Sequence, residues 1–152
     1  MTSRALRPAN AALYEEDFAL WSAETARLLR EGRFEEIDIE HLVEEVEGMA
    51  KSDRRELNSR MTVLLIHLLK WKFQPAKRSG SWENTIAVQR GKLEQLFLDS
   101  PSLRTDATDS ARTVYRHAVR LAGIQTRLGP KAFPAECPFT PEQILNEDFL
   151  PE

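Results

Sequence analysis

Apolar residues recur at three- and four-residue intervals along almost the whole chain, and no segment alternates apolar with polar residues as a half-buried strand would. The pattern predicts an all-α protein, a single-domain helical bundle with four to five main helices and a short C-terminal helix. A chain of 152 residues is long enough to bury one core. We therefore expect one helical domain over residues 14–152, preceded by a flexible N-terminal extension over residues 1–13.

The first helix is expected to end near Gly32, and the second to begin at Asp38, a favourable N-cap residue. The stripe of the first helix consists of Tyr14, Phe18, Trp21, Thr25 and Leu28. The stripe of the second, which we expect to face a core, consists of Leu42, Val46, Met49 and Ala50. Because only Leu57 is apolar between residues 51 and 60, residues 38–74 form either one long helix or two, the second starting at Asp53.

The segment from Met61 to Leu69 has apolar residues on every helical face, which predicts a central helix surrounded by others. Pro75 should end that helix, because proline lacks a backbone N–H and clashes with the preceding turn. Later helix starts are predicted at Ser81, at Ser100 with Pro101, and at Thr140, where Gln143 completes a capping box.

The composition, 41% apolar and 30% charged residues, is that of an ordinary globular domain. A single cysteine, Cys137, cannot form an internal disulfide, so we predict a reducing compartment and therefore the cytoplasm. The apolar run VLLIHLL is far shorter than the roughly 20 residues that a membrane-spanning helix requires. No membrane association is expected.

The charges are distributed unevenly along the chain. Residues 1–50 contain five basic and twelve acidic groups, whereas residues 51–92 contain ten basic and three acidic groups. Such a division can indicate a surface for an acidic partner or for nucleic acid, and nucleic acid is the weaker of these alternatives. Solvated helix faces, or two segments that face each other, explain the same division more simply.

Four stretches of the sequence resemble the bacterial domain-of-unknown-function family 29. They are YEEDFALW, LLREGRFEEIDIEHLVEEVEGM, HLLKWKFQP followed by RSGSW, and FPAECPFTPEQILNEDFLP. The resemblance extends from about Tyr14 to Glu152. It implies an all-helical bundle from a bacterium, and it implies no activity and no catalytic residues.

The turn after the central helix is the candidate binding site. Lysine, arginine and tryptophan side chains cluster there around the predicted start of a helix, where free backbone N–H groups favour anions. The residues of this basic corner are His67, Lys70, Trp71, Gln74, Lys77, Arg78 and Trp82. The competing interpretation makes His67 a neutral core histidine bonded to a neighbouring helix, and the tryptophans core aromatics.

No pattern in the sequence identifies a catalytic or metal site. The histidines at 41, 67 and 117 lack the paired Glu and His spacing of carboxylate-bridged metal sites. No nucleophile motif or glycine-rich phosphate loop is present. We therefore predict no catalytic residue, metal or cofactor, and interpret a basic row at Arg112, Arg116 and Arg120 as a solvated face.

Two functions remain open, and enzymatic activity is undecided. The favoured one is a non-catalytic interaction module that binds another protein or an anionic partner, with a homodimer as one form of it. The alternative is a small helical enzyme or metal-dependent protein that uses His67 with residues from neighbouring helices.

Overall fold

The computed structural model describes Pro8 and residues 10–152, and it contains six α-helices and no strand in that part of the chain. The helices are α1 (Ala11–Glu16), α2 (Phe18–Arg30), α3 (Ile39–Phe73), α4 (Gly80–Asp99), α5 (Leu103–Thr126) and α6 (Pro141–Leu145). The protein is thus a helical bundle with a short C-terminal helix, as predicted. Most of the predicted flexible extension, residues 1–7 and 9, lies outside the described residues.

The chain divides into two compact units, an N-terminal unit of residues 1–51 and a C-terminal unit of residues 52–152. In the N-terminal unit, the predicted first helix is two helices. Asp17 has extended backbone angles and caps α2, since its carboxylate accepts from the backbone N–H of Leu20 at 2.9 Å. Trp21 and Leu28 on α2 are buried.

The open question over residues 38–74 is resolved in favour of one helix, because α3 runs without interruption from Ile39 to Phe73. Its first turn begins after Asp38, whose carboxylate accepts from the backbone N–H of His41 at 3.5 Å. It ends two residues before Pro75, which opens a short 3₁₀ turn. Most polar residues between 51 and 60 are exposed, and Asp53 and Asn58 accept hydrogen bonds from the hydroxyls of Ser100 and Ser110, so this polar stretch does not interrupt the helix.

The core of the C-terminal unit surrounds the later part of α3, as the apolar run predicted. Leu64, Leu65, Leu68 and Leu69 are completely buried there. They belong to one apolar cluster with residues of α4 and α5. The members from α4 are Ile86, Leu93, Leu96 and Phe97, and those from α5 include Leu103, Ala107, Ala111, Val114 and Ala118.

Two predicted helix starts are displaced by two residues. The N-cap of α4 is Ser79, whose hydroxyl accepts from the backbone N–H of Trp82, and Ser81 lies inside the first turn. Helix α5 begins at Leu103, because Pro101 and Ser102 form a turn before it. The prediction at Thr140 is confirmed, since both hydrogen bonds of its capping box with Gln143 are present.

The segment after α5 packs on the C-terminal unit, as predicted, and it is fixed by an arginine. Arg90 on α4 is only 3% exposed, and its guanidinium donates to three backbone carbonyls, those of Gln143, Ile144 and Phe149. The Tyr115 hydroxyl donates to the carbonyl of Pro134 at 2.7 Å. Helices α4 and α5 thus hold the C-terminal segment through its main chain.

Among the described helices, none combines the length and apolar character needed to cross a membrane.

Candidate interaction surfaces

The basic corner brings two pairs of its predicted residues into contact. The Lys70 ammonium lies 4.6 Å from the centroid of the Trp82 ring, so this pair joins α3 to α4. The Arg78 guanidinium lies 5.2 Å from the centroid of the Trp71 ring. Both distances are within the range of cation–π attraction. Four residues of the predicted corner therefore lie in two contacting pairs.

The two cations of these pairs also make hydrogen bonds within the protein. Arg78 donates from Nε to the carbonyl of Trp71 at 2.8 Å and from Nη2 to the carbonyl of Pro151 at 3.2 Å. Lys70 donates to the side-chain oxygen of Gln125 at 3.2 Å, and burial lowers the pKa of Lys70. Arg78 therefore holds the end of the chain, a structural role that its sequence position does not reveal.

The remaining residues of the corner differ in exposure. Lys77 is exposed in the 3₁₀ turn, and Gln74 is half-buried at the end of α3. His67 is half-buried, and its Nδ1 donates to the carbonyl of Val63 at 2.9 Å, one turn earlier in the same helix. The prediction that this histidine bonds to a neighbouring helix is therefore wrong. Burial lowers the pKa of His67, and the charge of Lys70 lowers it further. The hydrogen bond to Val63 raises this pKa and offsets part of the decrease.

The alternative function required His67 to meet ligands or acids from other helices. Within the described part of the chain, His, Cys, Asp and Glu residues form no group of three or more that could hold a metal ion. His117 is exposed on α5. Cys137 is half-buried, and burial raises the pKa of its thiol, which does not favour the reactive thiolate.

In the N-terminal unit, His41 belongs to a cluster that the sequence did not predict. Its ring stacks on Tyr14, with the ring centroids 3.9 Å apart, and its Nδ1 bonds the buried carboxylate of Asp38. This bond raises the pKa of His41. Tyr14 donates to Glu45, which raises the pKa of Tyr14 to about 12. The three-residue spacing of Asp38 and His41 was the available signal, and the cluster fixes α1 against the start of α3.

The surface that sequence reasoning missed is an apolar stripe on the first part of α3. Ile39, Val43, Val46 and Met49, here called the exposed stripe, are between 48% and 68% exposed. The sequence predicted that the stripe of this helix, including Val46, Met49 and Ala50, would face a core, and those three residues are exposed. The three- and four-residue spacing makes this helix amphipathic, and the described residues of the N-terminal unit leave these side chains exposed.

Acidic residues accompany the exposed stripe. Glu40, Glu44 and Glu47 each follow a stripe residue by one position, and all three are exposed. They therefore form a parallel row along one side of the stripe. Other apolar side chains of the N-terminal unit are about half exposed or more, and they include Phe18, Leu20 and Phe34.

The described residues thus form a helical bundle with an exposed apolar stripe on α3 and a corner of cation–π pairs. The family model described as Domain of unknown function DUF29 matches residues 13–150, so the chain belongs to that family. Neither the curated proteins nor the solved structures contain a match.

Proposed function

We propose that this protein is a non-catalytic interaction module that binds another protein through the exposed stripe. The observation that carries the proposal is the exposure of four large apolar side chains at helical spacing, each about half exposed or more. Exposed apolar clusters of this kind are typical of association surfaces. An apolar stripe on a helix is the surface that a second amphipathic helix covers.

Charge indicates the chemistry of the partner. The acidic row Glu40, Glu44 and Glu47 lies beside the stripe, within the segment that has twelve acidic and five basic groups. A partner helix with Lys or Arg along one edge would complement the charge of this row. This complementarity would also raise the rate of association. We therefore propose a partner that supplies a basic amphipathic helix, with a second copy of this chain as the competing occupant.

Site-specific photocrosslinking in native cells tests this proposal. A benzophenone amino acid replaces Val46 in the stripe and, in a control variant, Leu98 on α4, which is 67% exposed. We expect Val46 adducts that map to one partner helix rich in Lys and Arg, and we expect Val43→Glu to abolish them. Adducts that are the same from both positions would contradict the proposal. Adducts between two copies of the chain would identify a homo-oligomer instead.

We propose the basic corner as a second surface, for an anionic partner, supported by the exposed Lys77 and the Lys70 to Trp82 contact. Since Arg78 also holds Pro151, the test leaves Arg78 unchanged and uses Lys70→Gln with Lys77→Gln. Lys92→Gln, an exposed lysine on α4, is the matched control. Polyphosphate, an acidic peptide and a DNA duplex are titrated at low and high salt, because screening should weaken binding. Equal binding by the double variant and the parent would show that the basic corner is not the binding site for these anions.

We place this function in the bacterial cytoplasm as an expectation from the single cysteine and the family resemblance. Fractionation of the native host with an antibody against the protein tests this location.

A further inference from the structure

A groove between α5 and the C-terminal segment is unrelated to both surfaces described above. It has a volume of about 510 Å³ and is lined on one side by α5 residues and on the other by residues between Ala135 and Ile144. Pockets for small molecules generally have volumes of roughly 300–1,000 Å³. The groove is therefore large enough for a small organic ligand, and it shares no residue with the exposed stripe or the basic corner.

The floor of the groove is apolar. Tyr115, Phe139 and Ile144 line it, and each is at most 6% exposed. The Tyr115 hydroxyl already donates to the carbonyl of Pro134, so the ring offers its apolar part to the groove. An occupant must therefore present hydrocarbon to this floor, because an uncompensated polar group would lose its hydration there.

The rim of the groove carries two guanidinium groups. Arg112 and Arg116 are one helical turn apart, and both are exposed. The nearest ion pair of Arg112, with Asp109 at 3.6 Å, is almost fully solvated on both sides and is therefore weak. Glu136 also lines the groove. Together with Arg112 and Arg116, it gives the groove a formal net charge of one positive unit. Guanidinium groups bind carboxylates in a bidentate geometry.

We propose that this groove binds a small amphipathic monocarboxylate, an aliphatic or aromatic acid whose hydrocarbon covers the floor and whose carboxylate meets Arg112 and Arg116. Glu136 disfavours occupants with several negative charges, which argues against an acidic peptide. A neighbouring cavity of about 360 Å³ shares Tyr115, Arg116 and Ala135 with the groove and includes Val119 and Phe133. Longer hydrocarbon chains can extend into it.

Calorimetric titration with hexanoate, octanoate and decanoate, below their micelle concentrations, tests the proposal. We expect affinity to rise with chain length, and the double variant Arg112→Gln with Arg116→Gln to bind roughly tenfold or more weakly. Arg120→Gln is the matched control, because Arg120 continues the same row and does not line the groove. Octanol should bind the parent and the double variant equally, since it lacks the carboxylate.

Cys137 provides a readout at the site itself. Cys137 lines the groove and is half-buried, so saturating octanoate should slow the alkylation of its thiol by iodoacetamide. Absence of binding, equal binding by the double variant, or an unchanged alkylation rate would each overturn the proposal. So would binding of an acidic peptide without binding of any monocarboxylate. Variants of the exposed stripe should bind octanoate normally, which separates this result from the protein-binding function.

Discussion

Two stretches of helix α3 each carry an apolar stripe, and the described residues cover one stripe and leave the other exposed. In the later part of α3, Leu57, Met61 and Leu64 are at most 2% exposed. In its first part, Val43 and Val46 continue the same three- and four-residue spacing and are about half exposed. The spacing that makes a helix amphipathic is therefore equal in both stretches, and only the neighbouring elements differ. An apolar stripe specifies that something should cover it, and it does not specify whether the same chain supplies the cover.

Alanine substitution in each stretch should give the largest contrast. Leu65→Ala removes a completely buried side chain and should lower the free energy of unfolding by about 2–5 kcal/mol, because a cavity is left. Val46→Ala should change it by less than about 0.5 kcal/mol, since that side chain is exposed. Urea denaturation followed by circular dichroism measures both. Similar losses from the two variants would mean that the exposed stripe packs on this chain in solution.

Arg90→Met tests how strongly the C-terminal segment closes the buried stretch. Loss of the guanidinium leaves three backbone carbonyls without their donor, and we expect a loss of about 2–4 kcal/mol. Hydrogen exchange should show the amides of α6 opening earlier than those of α3. Arg90→Lys, which keeps the charge and fewer donors, should be intermediate. If Arg90→Met is as stable as the parent, the segment is held by its apolar side chains alone.

His67→Leu should have a smaller effect, below about 1 kcal/mol. The partner of its imidazole, the carbonyl of Val63, belongs to the hydrogen-bonded interior of α3 and is not left without a donor. Thermal melting of the variant beside the parent measures the change. A loss of several kcal/mol would show that the ring makes a contact that a leucine of similar size cannot replace.

The smallest expected effect is on the pH dependence of stability. His41 in the first part of α3 and His67 in its later part should contribute to the free energy of unfolding with opposite dependence on pH. The bond to Asp38 raises the pKa of His41, so its contribution is present below pH about 6.5 and declines as the pH rises through the folded pKa. Burial lowers the pKa of His67, so its neutral form favours folding above pH about 6.5, and that contribution declines on acidification. NMR titration of the two rings should place His41 above the ordinary histidine value and His67 below it. The reverse order would contradict both assignments.

The parts of the fold that the sequence predicted are those that depend on local chemistry. The capping box at Thr140, the end of α3 before Pro75 and the buried run through Leu65 each follow from neighbouring residues. The break between α1 and α2 was missed because the apolar spacing continues across Asp17, while the side chain of that residue caps a new helix. Local propensity did not decide between one continuous helix and two helices separated at Asp17.

The candidate sites depended on contacts between distant residues, and sequence reasoning succeeded there only in part. Lys70, Trp71, Arg78 and Trp82 could be grouped because they surround one turn. The role of Arg90 could not be predicted, since its acceptors are more than 50 residues away. Of the exposed stripe, Val46 and Met49 were predicted to face a core, because periodicity shows which side chains share a face and not what lies opposite them.

Arg90 binds the C-terminal segment through main-chain oxygens, so its hydrogen bonds do not depend on which side chains the segment carries. Every residue supplies the same carbonyl, so the side chains of Gln143 and Phe149 can be replaced without removing an acceptor from the guanidinium. Ending the chain before Gln143 would remove all three acceptors of the Arg90 guanidinium together. The arginine therefore constrains the length of this segment and the path of its main chain, whereas the side chains at Gln143 and Ile144 are constrained by the capping box and by the core.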